Sequence, residues 1–382
     1  MGDFTFRISP NIILGSYTAS RLGQFAEEYG SRYMVIVDPL LKEVNLSDKI
    51  LQPLTEHQVN YFVFDDIPST VNTKTLEQAL KLAREGHIQG IIAAGGSKAS
   101  NLGRAISALF NEKQNLYNYF DEEQITAAPL PLICLPSTMR DNFVFTDKVP
   151  VIDARNQHIK LLKVANDLTK LVIFDPALSV TLSENQTSSI SLDILSVALE
   201  SYISQKATFF SDMIIEKSAE LLSYSLDGSP TLSVTTPSEE LLCQSGLMAS
   251  LGSATSSLGA SSLLSLCINA RFNISRSLIS GILLPYIIED ASNFKVDRVA
   301  KIARIMRIGT AEMSDKECAE KFALDIRQRL AKAQLPARLK DLNISIEQLS
   351  LAAEDAGRLE LINSVQRSMS TDDLFDMIKK AF

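Results

Sequence analysis

Ile91-Ile92-Ala93-Ala94-Gly95-Gly96-Ser97 is the stretch that decides the fold. Four apolar residues in a row read as a strand buried on both faces. Two glycines follow, and a helical period begins at Ser97. A strand that feeds a glycine turn and then a helix builds an anion site. Glycine lets backbone amides approach a phosphate, and the helix N-terminus adds partial positive charge. The plainer alternative is a tight strand-to-helix turn without a ligand. Asp38 closes an earlier apolar run, Tyr33–Val37. A carboxylate there accepts hydrogen bonds from a ribose diol and repels a 2′-phosphate, which points to NAD rather than NADP. The plainer alternative for Asp38-Pro39 is a helix-capping turn.

The same texture extends outward through the first half of the chain. Asn11–Leu14, Asn60–Phe64, Leu132–Leu135 and Leu171–Phe174 read as further strands. Ala19–Tyr29, part of Leu40–Leu54 and Thr73–Glu85 read as helices. Lys148–Val151 and His158–Lys163 read as a hairpin-like excursion. Alternation of this kind implies a parallel sheet with helices on both faces. Asp175-Pro176 stops the last strand. From Ser191 onward helical periods dominate, and the Ser/Ala/Gly/Leu-rich stretch Ser245–Ser265 suits closely packed buried helices. The expected organisation is an α/β domain over 1–176 and an all-helical domain over 177–382.

Composition narrows the function classes. The chain has 382 residues, too many for one ordinary core. Apolar residues make up 46% and charged residues 21%, as in soluble globular proteins. A net charge of −8 argues against nucleic acid as a partner, because phosphate backbones need a basic footprint. There is no run of 18 apolar residues and no basic-then-apolar start, so the expectation is a cytoplasmic protein without a membrane partner. Four scattered cysteines, Cys134, Cys243, Cys267 and Cys318, read as free thiols in a reducing compartment. The histidines number three, His57, His87 and His158, and no two share a helix-face spacing.

Taken in order, the motifs resemble the iron-containing alcohol dehydrogenase family, whose fold is the dehydroquinate synthase-like one. Asn11–Gly15 resembles its opening strand, Val35–Asp38 its first nucleotide strand, and Asp66–Pro68 with Val71 the segment before the next helix. Ile91–Ser97 resembles its glycine turn, with Ala94 in place of the first of three glycines. Leu135-Pro136-Ser137-Thr138 resembles its Pro-Thr-Thr loop and Phe174-Asp175-Pro176 its domain-joining Asp-Pro. Leu192-Asp193 and Leu199-Glu200-Ser201-Tyr202 resemble its first metal-site helix. Ile282-Leu283-Leu284-Pro285 resembles the end of its metal-bearing helix, and Thr371–Leu374 the start of its last one. The resemblance implies a Rossmann-like parallel-sheet domain, a helical domain, NAD as the nucleotide and a homodimer. Gly95, Gly96, Ser97, Asp38, Ser137, Thr138 and Arg140 become the candidate cofactor contacts.

The pattern also breaks. The family holds a divalent metal with one aspartate and three histidines. The aspartate is matched by Asp193, but the other positions fall at Val197, Ser262 and Arg276, and a further histidine position falls at Leu266. One carboxylate does not retain a catalytic metal. No metal is expected, and loss of a Lewis acid removes several kcal/mol of transition-state stabilisation. The helix after the glycine turn carries Ser100 and Gly103, beside Arg104, where the family has an aspartate and a lysine. Met139-Arg140-Asp141-Asn142-Phe143 replaces a run of small residues. Arg140 there is either a bidentate phosphate clamp or part of a drifted surface loop. Arg276 either pairs with Asp193, balancing a costly buried carboxylate, or faces solvent or a subunit interface.

Three readings remain open. One is a family member that binds NAD(H) or a related nucleotide and has lost metal-dependent hydride transfer, serving as a pseudoenzyme, regulator or binding protein. Another is an active metal-independent oxidoreductase on a small alcohol, aldehyde or polyol, with Asp193, Arg276 and Ser262 as the catalytic set. The last is a structural or interaction protein whose inter-domain cleft is filled by side chains such as Val197 and Leu266.

Overall fold

The computed structural model describes residues 9–68, 70–179, 182–228 and 236–382. The chain divides into two compact units, Met1–Thr181 and Leu182–Phe382. The division falls after position 181 rather than 176. Its physical reason is Leu178, which is fully buried in the core of the first unit and keeps the chain there past Pro176.

The first unit holds β1 (Asn11–Leu14), α1 (Leu22–Glu27), β2 (Arg32–Val37), α2 (Pro39–Glu43), α3 (Asp48–Glu56), β3 (Asn60–Phe64), α4 (Thr73–Glu85), β4 (Gly90–Gly95), α5 (Ser97–Leu109), α6 (Leu116–Phe120), β5 (Leu132–Pro136), β6 (Lys148–Ile152), β7 (Ile159–Lys163) and β8 (Thr169–Phe174). Six strands form one sheet in the order β1-β8-β5-β4-β2-β3, and every neighbouring pair is parallel. β6 and β7 form the expected hairpin, antiparallel and separate from that sheet. Side chains alternate across a strand, so each strand supplies two cores. Val35, Ile92 and Ile133 pack under Leu22, Leu41 and Leu54 on one face. Ile36, Ala93 and Leu132 meet α5 on the other, where Gly103 brings the helix close. A Cβ at Gly103 would lie 2.8 Å from that of Ala93.

One helical expectation needs correction, and the partly helical Leu40–Leu54 stretch is explained by a local break. Ala19–Tyr29 is not one helix. A 3-10 turn over Thr18–Arg21 precedes α1, because the Asp175 carboxylate accepts the amides of Tyr17 and Ala19, each at 2.9 Å, and fixes a tight entry. The Leu40–Leu54 stretch is divided into α2 and α3 by Asn45, whose φ of 57° lies in the left-handed region.

The second unit is helical throughout its described residues: α7 (Glu184–Ile203), α8 (Phe209–Asp227), α9 (Ser238–Thr255), α10 (Ala260–Phe272), α11 (Arg276–Ala291), α12 (Val296–Ile305), α13 (Asp315–Lys332), α14 (Ile346–Arg358) and α15 (Thr371–Ala381). α7 is its axis. Every residue from Ser189 to Ile203 is buried, and α8, α9, α10, α11 and α12 pack around it. Ser183 and Gln186 close its N-terminus as a capping box. Lys295 Nζ donates to Ile203 O at 2.5 Å and Arg298 Nε to Tyr202 O at 2.9 Å, which satisfies carbonyls at the other end. Among the described residues no single helix is long and apolar enough to cross a membrane.

Candidate functional site

In the first unit the chain runs from β2 outward to β3, then returns to the opposite side of β2 to form β4. That reversal is the topological switch point of a doubly wound sheet. Ligands of such sheets bind beside it, at the carboxyl ends of the strands. The residues there are Asp38, just past β2, and Gly95-Gly96, at the end of β4. Val37 is paired with Ala94, and Asp38 N donates to Ala94 O at 2.9 Å. β5 ends alongside, with Gly95 opposite Pro136 and Ser137 N donating to Gly95 O at 3.0 Å. The fold thus gathers Asp38, Gly95, Gly96, Ser97, Ser137 and Thr138 at the carboxyl ends of three adjacent strands.

Gly95 is required by its backbone. Its φ is +146°, and a Cβ would stand 2.4 Å from that of Asp38. The Asp38 carboxylate does two jobs. Oδ1 accepts from Leu40 N at 3.1 Å and caps α2, so the capping alternative holds. Oδ2 accepts from Gly96 N at 3.2 Å and so braces the glycine turn. A carboxylate offers about four acceptor positions, so these two bonds leave capacity for a diol.

The segment after β5 overturns one expectation. Met139, Asp141, Asn142 and Phe143 are all buried, so Met139–Phe143 is not a drifted surface loop. Asp141 explains why. One carboxylate oxygen accepts from Phe143 N at 3.0 Å and Val144 N at 3.1 Å, and the other accepts the Ser100 hydroxyl of α5. Ser100 therefore anchors this loop. Arg104 is likewise structural: it is fully buried and donates to Lys148 O at 2.9 Å and Thr146 O at 2.6 Å. Arg140, whose carbonyl accepts the Thr138 hydroxyl at 3.2 Å, is only partly buried.

The second unit contains the positions matched to metal ligands. Ser189 Oγ on α7 donates to Ser277 Oγ at 3.0 Å, next to Arg276 at the start of α11. Two turns further along α7, Ser196 Oγ donates to Ser261 Oγ at 3.3 Å at the start of α10. Asp193 lies between these two anchors, and Val197 lies just past the second, one helical turn from Asp193. Asp193 and Val197 thus stand on α7, Ser262 near the start of α10 against Glu200, and Arg276 at the start of α11.

These residues do not fit a divalent metal. Val197 has no donor atom and Arg276 is a cation. Ser262 Oγ donates to Glu200 Oε2 at 2.7 Å. Among the described residues no group of three or more His, Cys, Asp or Glu side chains converges as a metal ligand set. Asp193 and Glu200 share a face of α7, but seven residues of helix separate them by about 10 Å, too far for one ion.

Glu200 is the residue that sequence reading undervalued. It is fully buried. Its carboxylate accepts Ser261 N at 2.5 Å, Gly259 N at 3.2 Å and Ser262 N at 3.2 Å, as well as the Ser262 hydroxyl. These are orphan donors of the α10 N-terminus, so Glu200 caps that helix from another. Burial pushes its pKa up to about 7, and the four donors pull the other way. The available signal was its spacing: Asp193, Val197 and Glu200 recur at i, i+4 and i+7 on one buried stripe.

A sequence model of the iron-containing alcohol dehydrogenase matches residues 9–176, and one of the C-terminal part of that family matches residues 187–382. The chain belongs to this family. Among curated relatives, alcohol dehydrogenase 4 of Saccharomyces cerevisiae is 24% identical over 353 residues, covering 91% of this chain and 90% of that protein. The 1,3-propanediol dehydrogenase of Citrobacter freundii is 22% identical over 356 residues, 92% of each chain. Among solved structures, a 1,3-propanediol oxidoreductase superposes with a TM-score of 0.90 at 20% identity, covering both chains completely. A sulfoacetaldehyde reductase from Bifidobacterium kashiwanohense, determined in complex with NAD+, gives 0.83 at 17% identity, covering 100% of this chain and 99% of that one. At these identities the structural likeness speaks to the fold.

Proposed function

We propose that this family member binds an NAD-type dinucleotide through its first unit and has lost metal-assisted hydride transfer. The observation that carries the reading is the contrast between two neighbourhoods of one chain. At the switch point, two of the three glycines of the turn and its Asp38 brace are present. At the metal-ligand positions stand a valine, a serine committed to Glu200 and an arginine. Gly95 and Gly96 leave space for a pyrophosphate against the start of α5, and Asp38 has acceptor capacity for the ribose diol. Bound NAD+ would supply a hydride acceptor, and the sulfoacetaldehyde reductase of the same fold was determined in complex with NAD+. Asp193 and Arg276 carry opposite charges, and their pairing would balance the buried carboxylate without a metal.

The reading is tested by calorimetric titration of the purified protein with NAD+, NADH and ADP-ribose. Binding of all three in the micromolar-to-millimolar range is expected, because the adenosine and pyrophosphate contacts are common to them. Absence of heat with any of them at millimolar concentration overturns it. A companion screen of small alcohols, aldehydes and polyols should show no turnover that depends on added iron or zinc.

A further inference from the structure

α8 turns a stripe of apolar and charged residues outward. Phe209 and Met213 stand one helical turn apart on it and are 59% and 57% exposed, the most exposed large apolar side chains among the described residues of the second unit. Glu216, Lys217, Glu220 and Tyr224 continue the same face at helical spacing. The rest of the helix packs on α7, α9 and α12. A groove of about 490 Å³ runs beside the stripe, walled on its far side by Ile305 and Arg307. The polar residues of the stripe are only partly committed. Glu216 Oε1 accepts both Tyr202 Oη at 2.8 Å and Lys301 Nζ at 2.5 Å, and among the described residues its Oε2 accepts nothing. Lys217 Nζ donates to Glu220 Oε2 at 2.8 Å, which leaves donors on the ammonium for another acceptor. Glu220 Oε1 accepts from Tyr224 at 2.7 Å, and the Arg307 guanidinium lies 5.2 Å from the centre of the Tyr224 ring.

The order of these residues is self-complementary. Take an antiparallel copy of α8, related by a two-fold axis that crosses between Glu216 and Lys217. Phe209 of one chain then stands opposite Tyr224 of the other, and Met213 stands opposite Glu220 and the aliphatic stem of Lys217. Glu216 of each chain meets Lys217 of the other, so the ion pair forms twice across the axis. A parallel copy instead sets Glu216 and Lys217 each against its own kind, which is repulsive. A closed two-fold contact requires a surface that matches its own reverse in this way. We propose that the outer face of α8 is an interface between two copies of this chain, an antiparallel helix pair with Phe209 and Met213 as its apolar anchors. Burial of the two anchors drives the association, and the paired Glu216–Lys217 contacts fix its direction and register. The contact lies wholly within the second unit and needs neither nucleotide nor metal.

The experiment is sedimentation of the full chain at concentrations up to about 100 μM, which reaches micromolar dissociation constants. The wild type should show an association step that Met213→Glu weakens at least about tenfold, because a charge replaces an apolar anchor. Lys217→Glu should weaken it roughly threefold, because two exposed ion pairs become like-charge contacts. Direction and register are read by oxidising the double variant Met213→Cys, Glu220→Cys. The two positions lie about 10 Å apart along one helix, too far to bridge within a chain, so a disulfide there joins two copies. The double variant should form a covalent dimer. Either single variant should not, since its thiols stay equally far apart across the axis, and the native cysteines are buried. A wild type that stays monomeric over the whole range overturns the proposal and leaves the face to a partner of another sequence. Association that Met213→Glu leaves unchanged, or a double variant without a covalent dimer, overturns it too and places the contact elsewhere.

Discussion

Two residues, Gly95 and Glu200, are fixed by neighbours that tolerate little change. Gly95 is held open by its neighbours: its φ of +146° and the 2.4 Å approach of a hypothetical Cβ to Asp38 leave no room for a side chain. Gly95→Ala should destabilise the protein by about 3 kcal/mol, from backbone strain plus overpacking. Thermal unfolding would show the loss, and NAD+ binding should weaken with it because the Asp38 brace on Gly96 is displaced. Glu200 is held by four donors in a dry site. Its folded pKa of about 7 exceeds the ordinary glutamate value of 4.5, so the folded state binds the proton more tightly. The contribution is therefore fully present below about pH 4.5 and is lost as pH rises through 7, an effect of about 3 kcal/mol. Glu200→Gln should flatten this part of the stability profile between pH 5 and 8, measured by urea unfolding at a series of pH values. An unchanged slope would remove Glu200 as its source.

At the scale of elements, local pattern and distant contacts divide the work. Thr73–Glu85 and Asn60–Phe64 fold over the residues their patterns mark, because Asn72 caps the first and apolar β-formers make up the second. α6 was invisible to periodicity: five residues make little more than one turn, and its start depends on the Asn115 cap. The break before α1 was illegible for another reason. It is imposed by Asp175, which lies 156 residues from Ala19 in the chain. The same carboxylate also caps Ala177 N at 2.9 Å, so one side chain joins the end of β8 to the entry of α1. Asp175→Ala should leave three amides without their acceptor and cost about 3 kcal/mol, read as a lowered urea midpoint without a change in slope. The candidate site divides the same way. Asp38, Gly95 and Gly96 were legible because their chemistry is local to two strand ends. The role of Glu200 was not, because its donors come from a helix start 59 to 62 residues further on. The structural role of Arg104 was hidden for the same reason: its acceptors, Thr146 O and Lys148 O, lie far along the chain.

For the whole molecule, the family's architecture has been kept, and the function proposed above is that its metal-assisted chemistry has been lost. Both sequence models of the family match, across residues 9–176 and 187–382. The retained parts are those the fold itself needs: the switch-point turn packs α5 on the sheet, and Glu200 caps α10 against α7. The altered parts are Val197, Ser262 and Arg276, which stand on α7, α10 and α11 of the second unit. If that unit's stability owes nothing to a bound cation, a chelator should leave the unfolding temperature unchanged, because removing a ligand destabilises only a fold that binds it. A fall of several degrees in excess chelator would indicate a bound ion. The most direct measurement is the metal content of the purified protein, by elemental mass spectrometry after growth in iron- and zinc-supplemented medium. The expected result is iron and zinc far below one equivalent per chain; about one equivalent of either, retained through dialysis, would contradict the loss of the metal site.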